Sequence, residues 1–157
     1  FPRILRSLIH DNGIEPSALT LEILESQIME HPEFVAVVFS QLNKMGVAIA
    51  LDDFGKGYSS LSFLGQLPVQ ILKIDQSFVA KLGKCVRTQS IVRAICLLGE
   101  CLGLRLIAEG VETQDQIRRL RALGCTHCQG FYFARPLEPH FAERLIAHAG
   151  RLDHSLL

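Results

Sequence analysis

The stretch VAIALDDFGKGYSSL, residues 47–61, decides the fold class: five apolar residues in a row run straight into two aspartates and then into a loop rich in glycine and serine. A continuous apolar run, rather than an alternating one, marks a strand covered on both faces. LRLIA at 104–108 has the same character, and both are read as core strands. Working outward, 2–10 carries Ile4, Leu5, Leu8 and Ile9 at helical spacing and stops at DNG, 11–13. LTLEIL at 19–24 reads as a strand, and Pro32 to Met45 as a helix with an apolar stripe through Phe34, Val35, Val38, Phe39 and Leu42, closed by Gly46. The unit then recurs: VAIAL with SLSFLGQL, VQILKI with SFVAKL and a long helix over 86–103, LRLIA with QDQIRRLRAL, and THCQGFYF with EPHFAERLIAHA. Five strand-plus-helix units predict a parallel sheet under helical cover, because each crossover must pack back on the sheet. The class is α/β. Pattern alone does not separate an open sheet from a barrel.

Composition sets limits on function. The chain has 157 residues, 48% hydrophobic, with 16 Lys+Arg against 16 Asp+Glu, as expected for one globular domain. A zero formal charge without a basic block lacks the footprint of a general nucleic-acid binder. The densest apolar stretch, IVRAICLLGECLGLRLI, is broken by Arg93, Glu100 and Arg105, so no membrane span is expected. Five irregularly spaced cysteines form no disulfide framework, and a cytoplasmic setting is expected. Because the chain starts at Phe1 within a helical pattern, it is expected to begin inside a longer design.

The polar residues fall where the apolar strands end. Glu22, Asp52 and Asp53, Lys73 and Asp75, Glu109 and Glu112, and Gln129 each lie in or just after a strand of the pattern, on the edge where parallel α/β folds build their sites. A single such carboxylate is most often a helix cap. All five strands carry an ionisable or amide side chain there. The acidic ones, converging on one rim, would repel one another unless cations lay among them, and oxygen donors with little His or Cys suit Mg²⁺ or Mn²⁺.

LTLEILES, LDDFGKGYSSL, LKIDQSFV, IAEGVET and QGFYFARPL, in this order between about Ile14 and Leu145, resemble the signatures of the EAL domain, a bacterial phosphodiesterase of cyclic di-GMP. The resemblance implies a TIM-type barrel whose rim holds two Mg²⁺ or Mn²⁺ ions. By the same resemblance Glu22, Asp52, Asp53 and Glu109 match metal ligands, Lys73 the lysine that holds the nucleophilic water, and Gln129 the glutamine that supports it. Glu25 matches the glutamate that anchors the DDFG loop, and Glu112 stands behind the ligands. A two-metal clamp of this kind activates water and stabilises both attacking and leaving oxygens.

The family's naming glutamate, an arginine just after it and an asparagine ligand should all precede Glu22, and none is present in this sequence. Eight units take about 250 residues, so the chain is expected to be a single truncated domain over 1–157, a partial barrel of about five parallel β/α units, with a helix over 1–12, the motifs over 14–145 and a tail over 146–157. The resemblance therefore implies an enzyme that is weak or inactive as this isolated chain. The alternative is a non-catalytic dinucleotide-binding or protein-interaction module. Open strand edges near 19–24 and 126–133, uncovered Ile49, Leu51, Ile74 and Ile107, and a mean hydropathy of +0.26 lead to an expected homodimer or higher assembly. Lys56 and Leu24 stand where the family usually has smaller residues, and Lys56 is expected to point to solvent. Cys96 and Cys101 are expected in the core, and Cys125 and Cys128 as buried cysteines rather than a zinc site.

Overall fold

The computed structural model describes residues 1–30, 32–56 and 64–149. Its centre is a parallel sheet of five strands: β1 (Thr20–Leu24), β2 (Ala48–Phe54), β3 (Ile71–Ile74), β4 (Arg105–Ala108) and β5 (His127–Cys128). Their order in the sheet is their order in the chain. Among the described residues the remaining regular structure is helices α1 (Pro2–Asp11), α2 (Glu25–Glu30), α3 (Pro32–Lys44), α4 (Gln76–Val79), α5 (Val86–Cys101), α6 (Gln114–Ala122) and α7 (Pro139–Ala149), with a short 3-10 turn at Pro16–Ala18. Of SLSFLGQL, residues 60–63 fall outside the described residues.

Local chemistry fixes the joints. Asn12 closes α1 by donating from Nδ2 to the Leu8 carbonyl, 2.8 Å, and Gly13 adopts the left-handed φ of 61° that ends it. Asp75 caps α4 by accepting from the Ser77 N–H, 2.9 Å. Thr113 and Gln116 form a reciprocal capping box at the start of α6.

One face of the sheet carries the core. Ile49, Leu51, Leu72, Ile74, Leu106 and Ala108 are buried there in one cluster with Val35 and Phe39 of α3, Val92 and Ile95 of α5 and Leu120 of α6. This corrects the expectation that Ile49, Leu51 and Ile74 lose their cover: they belong to the helix-backed face, and of the four residues named only Ile107 points the other way and is half-buried. LRLIA is likewise not enclosed on both sides, since Arg105 is exposed while Leu106 and Ala108 are buried.

THCQGFYF yields a two-residue strand, His127–Cys128, after which Phe131–Phe133 turn away. Gly130 permits this turn, because a side chain there would run into the backbone of Val111. Strands β1 and β5 each have a single neighbour, so the two expected edges are edges of the sheet. Cys96 and Cys125 are buried and Cys128 half-buried, whereas Cys101 is exposed rather than in the core.

Candidate functional site

Side chains alternate along a strand, so the face opposite the helices receives Glu22 from β1, Asp52 from β2 and Lys73 from β3. Glu109 directly follows β4, and its N–H donates to the Ile74 carbonyl, 3.1 Å. Lys73 is the hub. Its Nζ lies 2.7 Å from Glu22 Oε2, 2.7 Å from Glu109 Oε1 and 3.3 Å from Asp52 Oδ1. The residue is only 3% exposed. Burial alone draws the ammonium's pKa down, but hydrogen bonds to Glu109 and Glu22 more than reverse that, and the net shift is upward. Glu109 moves upward as well, first because it is partly buried and then because Asp52 and Glu22 crowd it, with Lys73 opposing both.

Consecutive residues of a regular strand point to opposite faces, yet Asp52 and Asp53 converge. Asp52, Asp53 and Glu109 bring carboxylate oxygens within 4.8 Å of one another. A β-bulge accounts for this: Leu51 pairs with Leu72 and Phe54 with Ile74, so β2 spends three steps where β3 spends two. At the bulge Asp53 takes a left-handed φ of 57°, which an aspartate tolerates better than most residues. Its N–H donates to Asp52 Oδ1, 2.9 Å. Glu25, buried, accepts the N–H of Gly55 at 3.1 Å and ties the end of this loop to α2. Gly55 itself has a φ of 99°, and a side chain there would collide with the Phe78 ring.

Lys56 does not simply point to solvent. Its Nζ lies 3.0 Å from Asp53 Oδ1 and 2.7 Å from Asp75 Oδ2, with the side chain 47% exposed. Asp75, 1% exposed, would have its pKa raised by burial, but Lys56 and the Ser77 cap together hold it down at about 2.

Glu112 and Gln129 are exposed. They line, with Gln76, Glu109, Gly110, Gly130 and Phe131, a cavity of about 290 Å³. The Gln129 backbone is fixed by its N–H to the Ala108 carbonyl, 2.8 Å, and by its carbonyl to Val111 N–H, 3.0 Å. The structure thus gathers Glu22, Asp52, Asp53, Lys73 and Glu109 directly, and sets Glu25, Glu112 and Gln129 around them.

The sequence reading missed one supporting residue and left the role of another unassigned. Gln116 is buried, accepts from the N–H groups of Glu112 and Thr113 at 2.8 and 2.9 Å, and donates to the Val79 carbonyl at 3.2 Å. It therefore holds the segment that follows Glu109 against α4. The signal was the Thr-x-x-Gln spacing of a capping box at 113–116. Asp75 was named among the strand-end residues without a role; its position immediately before a helix was the sign of a cap.

An all-oxygen donor set with three converging carboxylates fits a hard divalent cation such as Mg²⁺ or Mn²⁺. Residues 1–136 match the EAL domain family. Over 143 residues the chain is 44% identical to the bifunctional diguanylate cyclase/cyclic di-GMP phosphodiesterase MucR of Pseudomonas aeruginosa, covering 91% of this chain and 20% of that protein. The solved PaMucR phosphodiesterase in complex with c-di-GMP superposes with a TM-score of 0.85 at 43% identity, covering 88% of this chain and 56% of that one. The manganese/cy-diGMP complex of Klebsiella pneumoniae BlrP1 gives 0.79 at 32% identity, covering 84% and 34%. The chain spans about a fifth of the length of the curated relatives it matches. Strand order, the lysine among its carboxylates and these likenesses agree, and the chain belongs to the EAL domain family.

Proposed function

We propose that this face of the sheet is part of a two-metal centre that hydrolyses cyclic di-GMP to the linear dinucleotide. The observation that carries the reading is Lys73, buried against three carboxylates, two from strands β1 and β2 and one from the residue that follows β4. Asp52, Asp53 and Glu109 would hold the divalent ions, joined by Glu22, whose carboxylate lies on Lys73 Nζ at 2.7 Å. Such ions supply Lewis acidity and an activated water. Lys73 keeps its proton, since its pKa is raised, so it serves as a fixed positive charge and hydrogen-bond donor rather than as a base. Carboxylates engaged by metal would release Nζ to hold the attacking water and offset charge on the phosphoryl oxygens. Glu25 and the bulge keep Asp53 aimed inward.

Three family residues expected before Glu22 are not in this sequence, so the 157 residues alone should turn over cyclic di-GMP weakly. The test is formation of linear dinucleotide with Mg²⁺ or Mn²⁺, by this chain and by an eight-stranded domain that contains it. Turnover near one per second by the 157 residues would contradict the expectation of weakness. No turnover by the eight-stranded domain would overturn the assignment.

A second reading, a non-catalytic dinucleotide-binding module, is favoured by the cavity beside Glu109, where exposed Phe131 offers a ring for stacking and Gln76, Glu112 and Gln129 offer polar groups. Binding of cyclic di-GMP without product would select it. The open edges of β1 and β5, with Phe131, Phe133, Phe141 and Ile146 exposed, support a homodimer or larger assembly. Light scattering should then exceed 17.5 kDa at micromolar concentration, and a stable 17.5 kDa species would refute it.

A further inference from the structure

We propose that Lys56 is an internal counter-ion of the acidic site, one that competes with divalent metal for Asp53 and so sets the site's affinity. The inference rests on the reading of Asp53 as a metal ligand, and it concerns how that ligand is guarded.

The two lysines near the carboxylates are placed differently. Lys73 is enclosed, with its ammonium held by Glu22, Asp52 and Glu109 at once. Lys56 is half exposed and reaches from the loop after β2 to two acceptors, Asp53 at 3.0 Å and Asp75 at 2.7 Å. Those two acceptors are not equivalent. Asp75 is 1% exposed and immobilised, because its Oδ1 caps α4 through Ser77. Asp53 is partly exposed and belongs to the convergent set with Asp52 and Glu109.

An ammonium is a compact point charge with three donors. While it rests on Asp53, it occupies one carboxylate oxygen and places a positive charge next to any cation that approaches the set. Lys56 can release Asp53 and stay anchored on Asp75, so the exchange needs no unfolding of the loop. Leu24, Glu25, Ser26, Asp53 and Lys56 border a cavity of about 170 Å³, which gives the side chain room to move. The consequence is a site that keeps its acidic groups neutralised without metal and binds metal less tightly than its carboxylates alone would.

The test is calorimetric titration with Mn²⁺ at fixed pH and ionic strength, using wild type, Lys56→Thr, Lys56→Gln, Lys56→Arg and Asp52→Ala, with a thermal melt of each metal-free protein. Removing one positive charge a few ångströms from a bound dication relieves a repulsion worth about tenfold in affinity even at the dielectric of water, so Lys56→Thr and Lys56→Gln should bind Mn²⁺ roughly tenfold more tightly, while Lys56→Arg stays near wild type. The metal-free Thr and Gln variants should melt lower, since Asp75 loses its cation. A lysine with a purely structural role would lower melting and affinity together. If wild type binds above the Asp52→Ala control and neither neutral variant binds more tightly, the counter-ion role is overturned and the metal site stands. If no variant binds above that control, the metal reading fails, and the inference with it. Should Lys56→Thr not fold, the Gln variant carries the same comparison.

Discussion

Leu72 and Lys73 are neighbours on β3, both nearly sealed from solvent, yet they answer to opposite demands. Leu72 faces the helices and packs into a wholly apolar cluster. Lys73 faces the other way, into three carboxylates. Burying an aliphatic side chain gains free energy directly, at about 25 cal/mol per Å². Burying an ammonium is costly and is offset only by partners of opposite charge. One face of the sheet therefore holds the fold together, and the other holds a charge arrangement that the first face makes affordable. A substitution on one face should be read out in stability and on the other in chemistry.

The sharpest test of that division is Lys73→Ala or Asp52→Asn in an eight-stranded domain that contains this chain. Turnover of cyclic di-GMP should fall roughly 10³-fold, about 4 kcal/mol in the barrier, with the far-UV circular dichroism unchanged. Full activity in either variant would remove these residues from the site. Leu72→Ala should do the reverse, lowering unfolding free energy in urea by about 3 kcal/mol through the lost transfer energy and the cavity left behind. A loss under about 1 kcal/mol would mean that the helix-backed face is loosely packed.

Asp75 lies between the two extremes, a buried acid that the Ser77 cap and Lys56 keep charged. Its pKa is lowered from 3.8 to about 2, so the stability it contributes, roughly 2 kcal/mol, is present above pH 3.8 and lost as pH falls toward 2. Acid unfolding of Asp75→Asn should lack that component. The smallest expected effect comes from metal: Mn²⁺ at ten times its dissociation constant should stabilise the fold by about 1.4 kcal/mol. The rise in melting temperature should vanish in Asp52→Ala, and its persistence there would place the metal elsewhere.

Much of this was legible in the sequence because strands and charges are written locally. Glu22, Asp52, Lys73 and Glu109 were marked by following apolar runs with ionisable residues, and the structure brings all four to one place. What stayed hidden is geometry that a run of apolar letters does not encode. VAIAL gives no sign of which alternate residues face helices, so Ile49 and Leu51 were assigned to the wrong side. Nor does LDDF announce a bulge, although only the extra residue at Asp53 lets adjacent aspartates converge. The partners of Lys56 also escaped notice, since Asp75 lies 19 positions further along the chain and is brought close only by the pairing of β2 with β3.

The sheet's strand order, identical to the order of synthesis, has a consequence for how the chain is born. A nascent chain leaves the ribosome at about 5–20 residues per second, and each strand here can dock on the edge laid down just before it. Glu22 and the two aspartates arrive first, Lys73 next, and Glu109 last. The buried cation is therefore already available when the final carboxylate swings in, and the growing sheet never has to close four acids around an empty centre.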